Sequence, residues 1–250
     1  MNKVRSLFAI AIVGVLAFVG CSLQGGNAGT SALDYVILAK SAVSNVPTSS
    51  VTGNIGLSPA ATSFITGFSL VNATGYATSA QVKGSLFAAD MAPPTNTNLT
   101  AAVTDMLARY TAAKGLATSG PAATYLDLGG GTIGASTPVL APGVYTWTTS
   151  LSITGNIAIS GGSSATWTFQ VQGGGLTTAA GVHVVLSGGA QAENIVWQVS
   201  GATTTGSNSV FEGIILDQTA ISLGVGSTLN GRALAQTAVN LIGTNTVVAP

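Results

Sequence analysis

Seven carboxylates are spread along the chain, at Asp34, Asp90, Asp105, Asp127, Glu193, Glu212 and Asp217. General acid–base or glycosidic chemistry needs two of them facing one reacting bond, with basic or metal partners nearby. Glu212 and Asp217 are the nearest candidate pair, and no histidine accompanies them. All seven are expected at corners or exposed strand positions, and no catalytic residue is assigned. His183 is the only histidine and Cys21 the only cysteine. No disulfide, metal site or cofactor is therefore expected. Gly129-Gly130-Gly131 and Gly173-Gly174-Gly175 lack the Lys and the strand-to-helix setting of a phosphate loop. They read as corner or loop glycines.

The informative spacing belongs to small residues instead. Thr219-Ala220-Ile221-Ser222-Leu223 lies over Thr237-Ala238-Val239-Asn240-Leu241, at an offset of 237 − 219 = 18. The same offset places Gly201 to Thr205 one register earlier, and Val210 to Gly213 under Thr228 to Gly231. Apolar residues alternate within each short run, and Gly, Ser or Asn marks the breaks. Three strands and three corners per turn suit a coil of this length. Earlier coils follow less regularly through Val144 to Trp147, Leu151 to Ile153, Trp167 to Val171, Val182 to Leu186 and Ile195 to Val199. Residues 188–194 look like a corner insertion, and His183 falls at the coil position matching Asn208.

One segment departs from this period. After Pro93-Pro94, the residues Leu99, Val103, Met106, Leu107 and Tyr110 recur at helical spacing, with Gly115 as a stop. An amphipathic helix over about 95–115 is predicted along one side of the stack, where its Met and Tyr stripe packs on strands. The fold expected is mainly β: a right-handed, three-faced β-solenoid, or discontinuous β-helix, with one long α-helix packed alongside. Aromatic residues are 6 % of the chain, so the core is expected to be thin layers of Val, Ile and Leu without an aromatic centre.

Residues 1–20 read as a signal peptide. Lys3 and Arg5 precede an apolar run, Leu7 to Val19, that is short for a membrane span. Phe18-Val19-Gly20-Cys21-Ser22 resembles a bacterial lipobox, although Phe18 stands where Leu is usual, and Cys21 is the expected lipidation site. Residues 21–32 read as a flexible tether and 33–250 as one domain. Export to the outer membrane or cell surface as a lipoprotein, or otherwise secretion, is the expected location. Without Lys3 and Arg5, 7 − 2 = 5 basic residues face 7 acidic ones, a charge near −2. Such a surface has no basic patch to neutralise phosphates, so no nucleic-acid partner is expected.

The segments Tyr35 to Ser41, Thr52 to Pro59, Ile65 to Phe68, Pro142 to Tyr145, Asn194 to Val199 and Leu229 to Thr237 together resemble the ice-binding proteins of cold-living microbes. The likeness runs from about Leu33 to Val248. It implies N-terminal strands inserted beside C-terminal ones, and a recognition motif of Thr, Ala or Gly, any residue, then Thr or Asn. Thr237-Ala238-Val239-Asn240 fits this motif; Thr219-Ala220-Ile221-Ser222 departs in its last place and Ser41-Ala42-Val43-Ser44 in its first and last.

Alternation turns Ala220, Ser222, Ala238 and Asn240 outward if Ile221, Leu223, Val239 and Leu241 point in. The ice-binding set implied is then Ser41, Ala42, Ser44, Thr66, Ala202, Thr204, Thr219, Ala220, Ser222, Thr237, Ala238 and Asn240. The resemblance implies an antifreeze function with the ice crystal surface as partner, a monomer, and membrane contact only through Cys21. Two other classes stay open on the residues alone. A carbohydrate-binding or adhesion module would need exposed aromatics as a stacking platform, whereas Trp147, Trp167 and Trp197 sit in apolar-alternating strands. A polysaccharide-active enzyme would need a carboxylate cluster.

Overall fold

The structure, a computed structural model, describes residues 26–250. The signal segment, Cys21 and the first part of the tether lie outside the described residues. The fold is mainly β with one long helix, and its strands form sheets of twelve, eight and two. Pairing is parallel except around the hairpin Val71–Ala73 and Tyr76–Ser79, whose second strand also runs antiparallel to Val82–Ala88.

The repeat of the last three coils is realised in hydrogen bonds. Val210–Asp217 pairs residue for residue with Thr228–Ala235. Thr203–Thr205 pairs with Ile221–Leu223, which pairs with Ala238–Leu241. The two long strands carry Gly213 and Gly231 side by side. Gly213 has φ +112°, and a Cβ on Gly231 would come 1.8 Å from the Gly213 carbonyl oxygen, so the stacked strands approach too closely there for any side chain. Residues 188–194 bridge two strands, with a 3-10 turn at Ala192–Asn194.

The chain ends interleave as the resemblance implied. Tyr35–Ala39 pairs with Thr228–Ala235, Ala42–Asn45 with Ala238–Leu241, and Ser50–Thr52 with Thr246–Val248. Strands distant in sequence are thereby sealed into one stack, and the strands at the C-terminus are not left as open edges.

Two cores result. The inner one, between the sheets, takes Val43, Ile55, Ile221, Val239, Leu241 and Val247. It also holds an aromatic column, which corrects the expectation of aliphatic layers alone. Parallel register stacks Tyr145, Phe169 and Trp197, with ring centroids 5.2 Å and 4.1 Å apart, and Phe211 follows at 4.9 Å. Few aromatics suffice because in-register stacking concentrates them. Each indole N–H is satisfied inside: Trp147 donates to Leu128 O at 2.9 Å, Trp167 to Leu140 O at 3.1 Å and Trp197 to Glu212 O at 2.9 Å.

The outer core lies under the helix Thr95–Lys114. Leu99, Ala102, Val103, Met106, Tyr110 and Ala113, at helical spacing, cover Tyr35, Leu38, Phe87, Ile214, Leu216 and Leu234. Where the helix covers it, the large sheet is therefore apolar on both sides. Gln170 Nε2 donates to Ala113 O at 2.7 Å and Leu116 O at 2.9 Å, satisfying carbonyls at and just beyond the helix end. Ala28 and Ala32 are buried in this second core, and Asp105 accepts from Ser31 Oγ and Ala32 N at 2.7 and 2.9 Å. The stretch read as a tether therefore docks from Ala28 onward, because the helix offers it both apolar surface and a carboxylate.

Candidate functional site

The eight-stranded sheet runs in the order Ile65–Thr66, Ala42–Asn45, Ala238–Leu241, Ile221–Leu223, Thr203–Thr205, Leu176–Thr178, Leu151–Ile153 and Thr132–Ile133. None of its strand residues is charged. Val43, Val239, Ile221, Leu176 and Leu151 are buried inward, so alternation turns the intervening residues to solvent. One row therefore reads Thr66, Ser44, Asn240, Ser222, Thr204, Thr177, Ser152, Thr132 across the whole sheet. Every member is Thr, Ser or Asn. At about 4.7–4.9 Å per strand, the row is roughly 34 Å long.

A second row two residues earlier is smaller still. Ala42 and Ala238 are register partners, while Ala220 O and Ala202 O accept from Thr203 N and Leu176 N. Ser41, Thr237 and Thr219 form its margin, where Ser41 N donates to Thr237 O at 2.8 Å and Thr237 N to Thr219 O at 3.0 Å. All twelve residues singled out from the sequence thus lie on this sheet or at its margin. Thr177, Ser152 and Thr132 escape the sequence reading. The steps from Thr204 to Thr177, from Thr177 to Ser152 and from Ser152 to Thr132 are unequal, and each is longer than the step between the last coils. Corner insertions therefore hide these three from a search at a fixed period.

Within the row, Ser44 Oγ donates to Asn240 Oδ1 at 2.8 Å, and Asn240 Nδ2 donates to Ser222 Oγ at 3.2 Å. The surface is short-chained, uncharged and partly locked by its own hydrogen bonds. The remaining sheet surface is different. Glu212 and Asn230 are joined there at 2.7 Å, and Lys83 and His183 are exposed.

The candidate pair of carboxylates does not come together. Glu212 and Asp217 occupy opposite sides of one strand by alternation. Asp217 is not at an exposed corner, as expected, but 1 % exposed. Its Oδ1 accepts from Thr219 N at 2.6 Å and Thr219 Oγ1 at 3.2 Å, and its Oδ2 accepts from Thr203 Oγ1 at 2.6 Å. Three donors thus bring a carboxylate into the core and tie the large sheet to the polar one. Burial nevertheless pushes this carboxyl up to about 6, and the Thr203 and Thr219 bonds offset that only in part. Glu212 is also raised, chiefly by burial. His183 bridges Val210, not the Asn208 position, and the step between these two coils is 210 − 183 = 27 residues, longer than the 18 of the last coils. Among the described residues, no group of three or more His, Cys, Asp or Glu could hold a metal ion. None of their helices is long and apolar enough to cross a membrane.

Asp217 has a measurable signature. Its folded value, about 6, lies above an unfolded value near 3.9. The folded state therefore binds the proton more tightly, and this contribution to stability is complete below about pH 4 and lost as pH rises through about 6. The two-unit difference sets an upper bound of about 3 kcal/mol. Melting curves from pH 4 to 6.5 should show a destabilisation that Asp217→Asn removes; identical slopes in both proteins would contradict this account.

A family model described as Ice-binding-like matches residues 37–248. An ice-binding protein of Leucosporidium sp. is 41 % identical over 243 residues, covering 94 % of this chain and 90 % of that protein. Ice-binding protein K1-A of Typhula ishikariensis is 45 % identical over 217 residues, covering 86 % and 85 %. Among solved structures, an ice-binding protein from an Arctic yeast, described for its antifreeze activity, matches with TM-score 0.83 at 42 % identity. That match covers 90 % of this chain and 94 % of the yeast chain.

Proposed function

Because the chain belongs to the ice-binding-like family, we propose that it adsorbs to ice through its eight-stranded sheet and so inhibits ice growth or recrystallisation. The observation that carries this reading is the uncharged row of eight Thr, Ser and Asn residues. Ice offers neither charge nor pocket, and its molecules are those of the competing solvent. Affinity must therefore come from a broad, preorganised surface whose ordering cost is already met in the folded state. Lys or Glu would impose its own hydration shell, and the strands of this sheet carry neither. Successive strands repeat the same side-chain type at a spacing close to an oxygen repeat in ice, so bound water can be held in a lattice-like array.

The supporting scaffold, in this reading, is a right-handed, three-faced solenoid acting without catalysis or cofactor. It acts as a monomer with no nucleic-acid partner. The segment 1–20 directs export, and an acyl group on Cys21 is the only membrane attachment, placing the domain at the cell surface; without acylation the protein is secreted. A carbohydrate-binding role loses its platform, because Trp147, Trp167 and Trp197 are fully buried. The mature protein should be incorporated into a slowly growing ice hemisphere. Exclusion into the liquid, as for an ordinary solute, would overturn the proposal.

A further inference from the structure

One part of the polar row, on the second to fourth of its eight strands, joins two serines through an asparagine. Four of the row's members, Thr66, Thr204, Thr177 and Thr132, are β-branched, and β-branching restricts χ1 before any ligand arrives. Ser44 and Ser222 have no such restriction, and both stand next to Asn240 in the register. The Asn240 side chain spans the gap on each side, accepting from Ser44 Oγ at 2.8 Å and donating through Nδ2 to Ser222 Oγ at 3.2 Å. We propose that Asn240 is a positioning residue, an amide clamp that fixes the two seryl hydroxyls and replaces, by hydrogen bonds, the rigidity that threonine would supply. This inference rests on the reading of the sheet as the ice-binding surface, and it says how an imperfect motif can still present an ordered face.

The clamp also sets what each hydroxyl shows to water. Ser44 commits its proton along the sheet, so toward solvent its oxygen can only accept. Ser222 receives a hydrogen bond, so its own proton remains to be donated outward. Asn240 keeps a second N–H beyond the two bonds. Three neighbouring strands thereby offer a fixed sequence of acceptor, donor and donor, where three free rotors would offer an average. Immobilising a hydroxyl beforehand matters here because adsorption to ice gains little per contact and any ordering cost weighs on it directly.

The test is a mutant cycle read by uptake into ice and by thermal hysteresis. Asn240→Leu keeps the volume and removes both bonds, and Ser44→Ala with Ser222→Ala removes the clamped groups. A clamp makes these losses overlap, so the triple variant should be no worse than the Leu variant, with a coupling of about threefold or more. Ser44→Thr with Ser222→Thr should restore activity in the Leu background. Losses that simply multiply, no rescue by threonine, or an inert Asn240→Leu would each overturn the clamp. Asn240→Ala replaces the Leu variant should its melting temperature fall. Ala238→Tyr in the same assay separates the two readings. Full uptake of that variant overturns the ice-binding face itself, whereas its exclusion together with an inert Asn240→Leu overturns only the clamp.

Discussion

Ala238→Tyr is expected to remove most ice-binding activity, by about tenfold or more, while leaving the melting temperature nearly unchanged. Ala238 sits beside Ala42 in register and two residues before Asn240, and its half-buried methyl is part of the lowest ground on the sheet. A phenol ring there would stand several ångströms proud of the polar row. A flat rigid surface cannot bend to follow it, so the neighbouring hydroxyls lose contact together, and a loss of shape complementarity costs affinity over the whole patch. The fold has little to lose, since the ring projects into solvent and no buried group changes. Thermal hysteresis and uptake into an ice hemisphere, measured beside a melting curve, check both halves of the expectation. Activity at the parental level would place the ice contact on another surface.

Trp197→Ala is expected to act on the opposite quantity, costing about 3–5 kcal/mol of stability. Trp197 is fully buried, its ring stacked 4.1 Å from Phe169 and tilted against Phe211 at 4.9 Å, and its indole N–H meets Glu212 O at 2.9 Å. Truncation opens a cavity in the middle of the column and leaves the Glu212 carbonyl without this donor. In-register neighbours above and below cannot collapse into the gap, because the strand spacing is held by backbone ladders. For a domain of this size, such a loss lowers the melting temperature by roughly 10 °C. Urea unfolding should move to a lower midpoint, whereas ice uptake by the folded fraction in the cold should persist. A change below about 1 kcal/mol would mean that the column is not a principal support of the inner core.

These two substitutions separate what is legible in the residues from what is not. Ala238 stands out because the last three coils are regular, with a constant step from coil to coil, alternation within each strand and small residues at matching places. Trp197 reads as a packing residue, yet its stacking partners do not follow from the chain. Phe169 precedes it by about twice the separation at which Phe211 follows it, and no single period predicts both steps. Likewise the row's members at Thr177, Ser152 and Thr132 obey the same in-and-out alternation but are separated by corners of unequal length. Asp217 departs from expectation for a related reason. A carboxylate is ordinarily a surface residue. Thr219 supplies donors from two residues along the same corner, and only the approach of Thr203 from the neighbouring sheet adds the one that completes its partners inside.

Local rules are written in the residues: strand alternation, the helix with its apolar stripe ending at Gly115, the scarcity of charge, and the repeated small polar motif. Each follows from forces acting within one coil or one helix turn, whose period can be read along the chain. Which coils became neighbours was settled by the assembled fold. Assembly set Ser44 against Asn240, 196 residues away, and extended a three-coil motif into a row across eight strands. It also buried Asp217, and it docked residues from Ala28 onward against the helix. Such long-range choices rest on the burial of one sheet against another and on the closing of strand edges, and no spacing within a single segment encodes them.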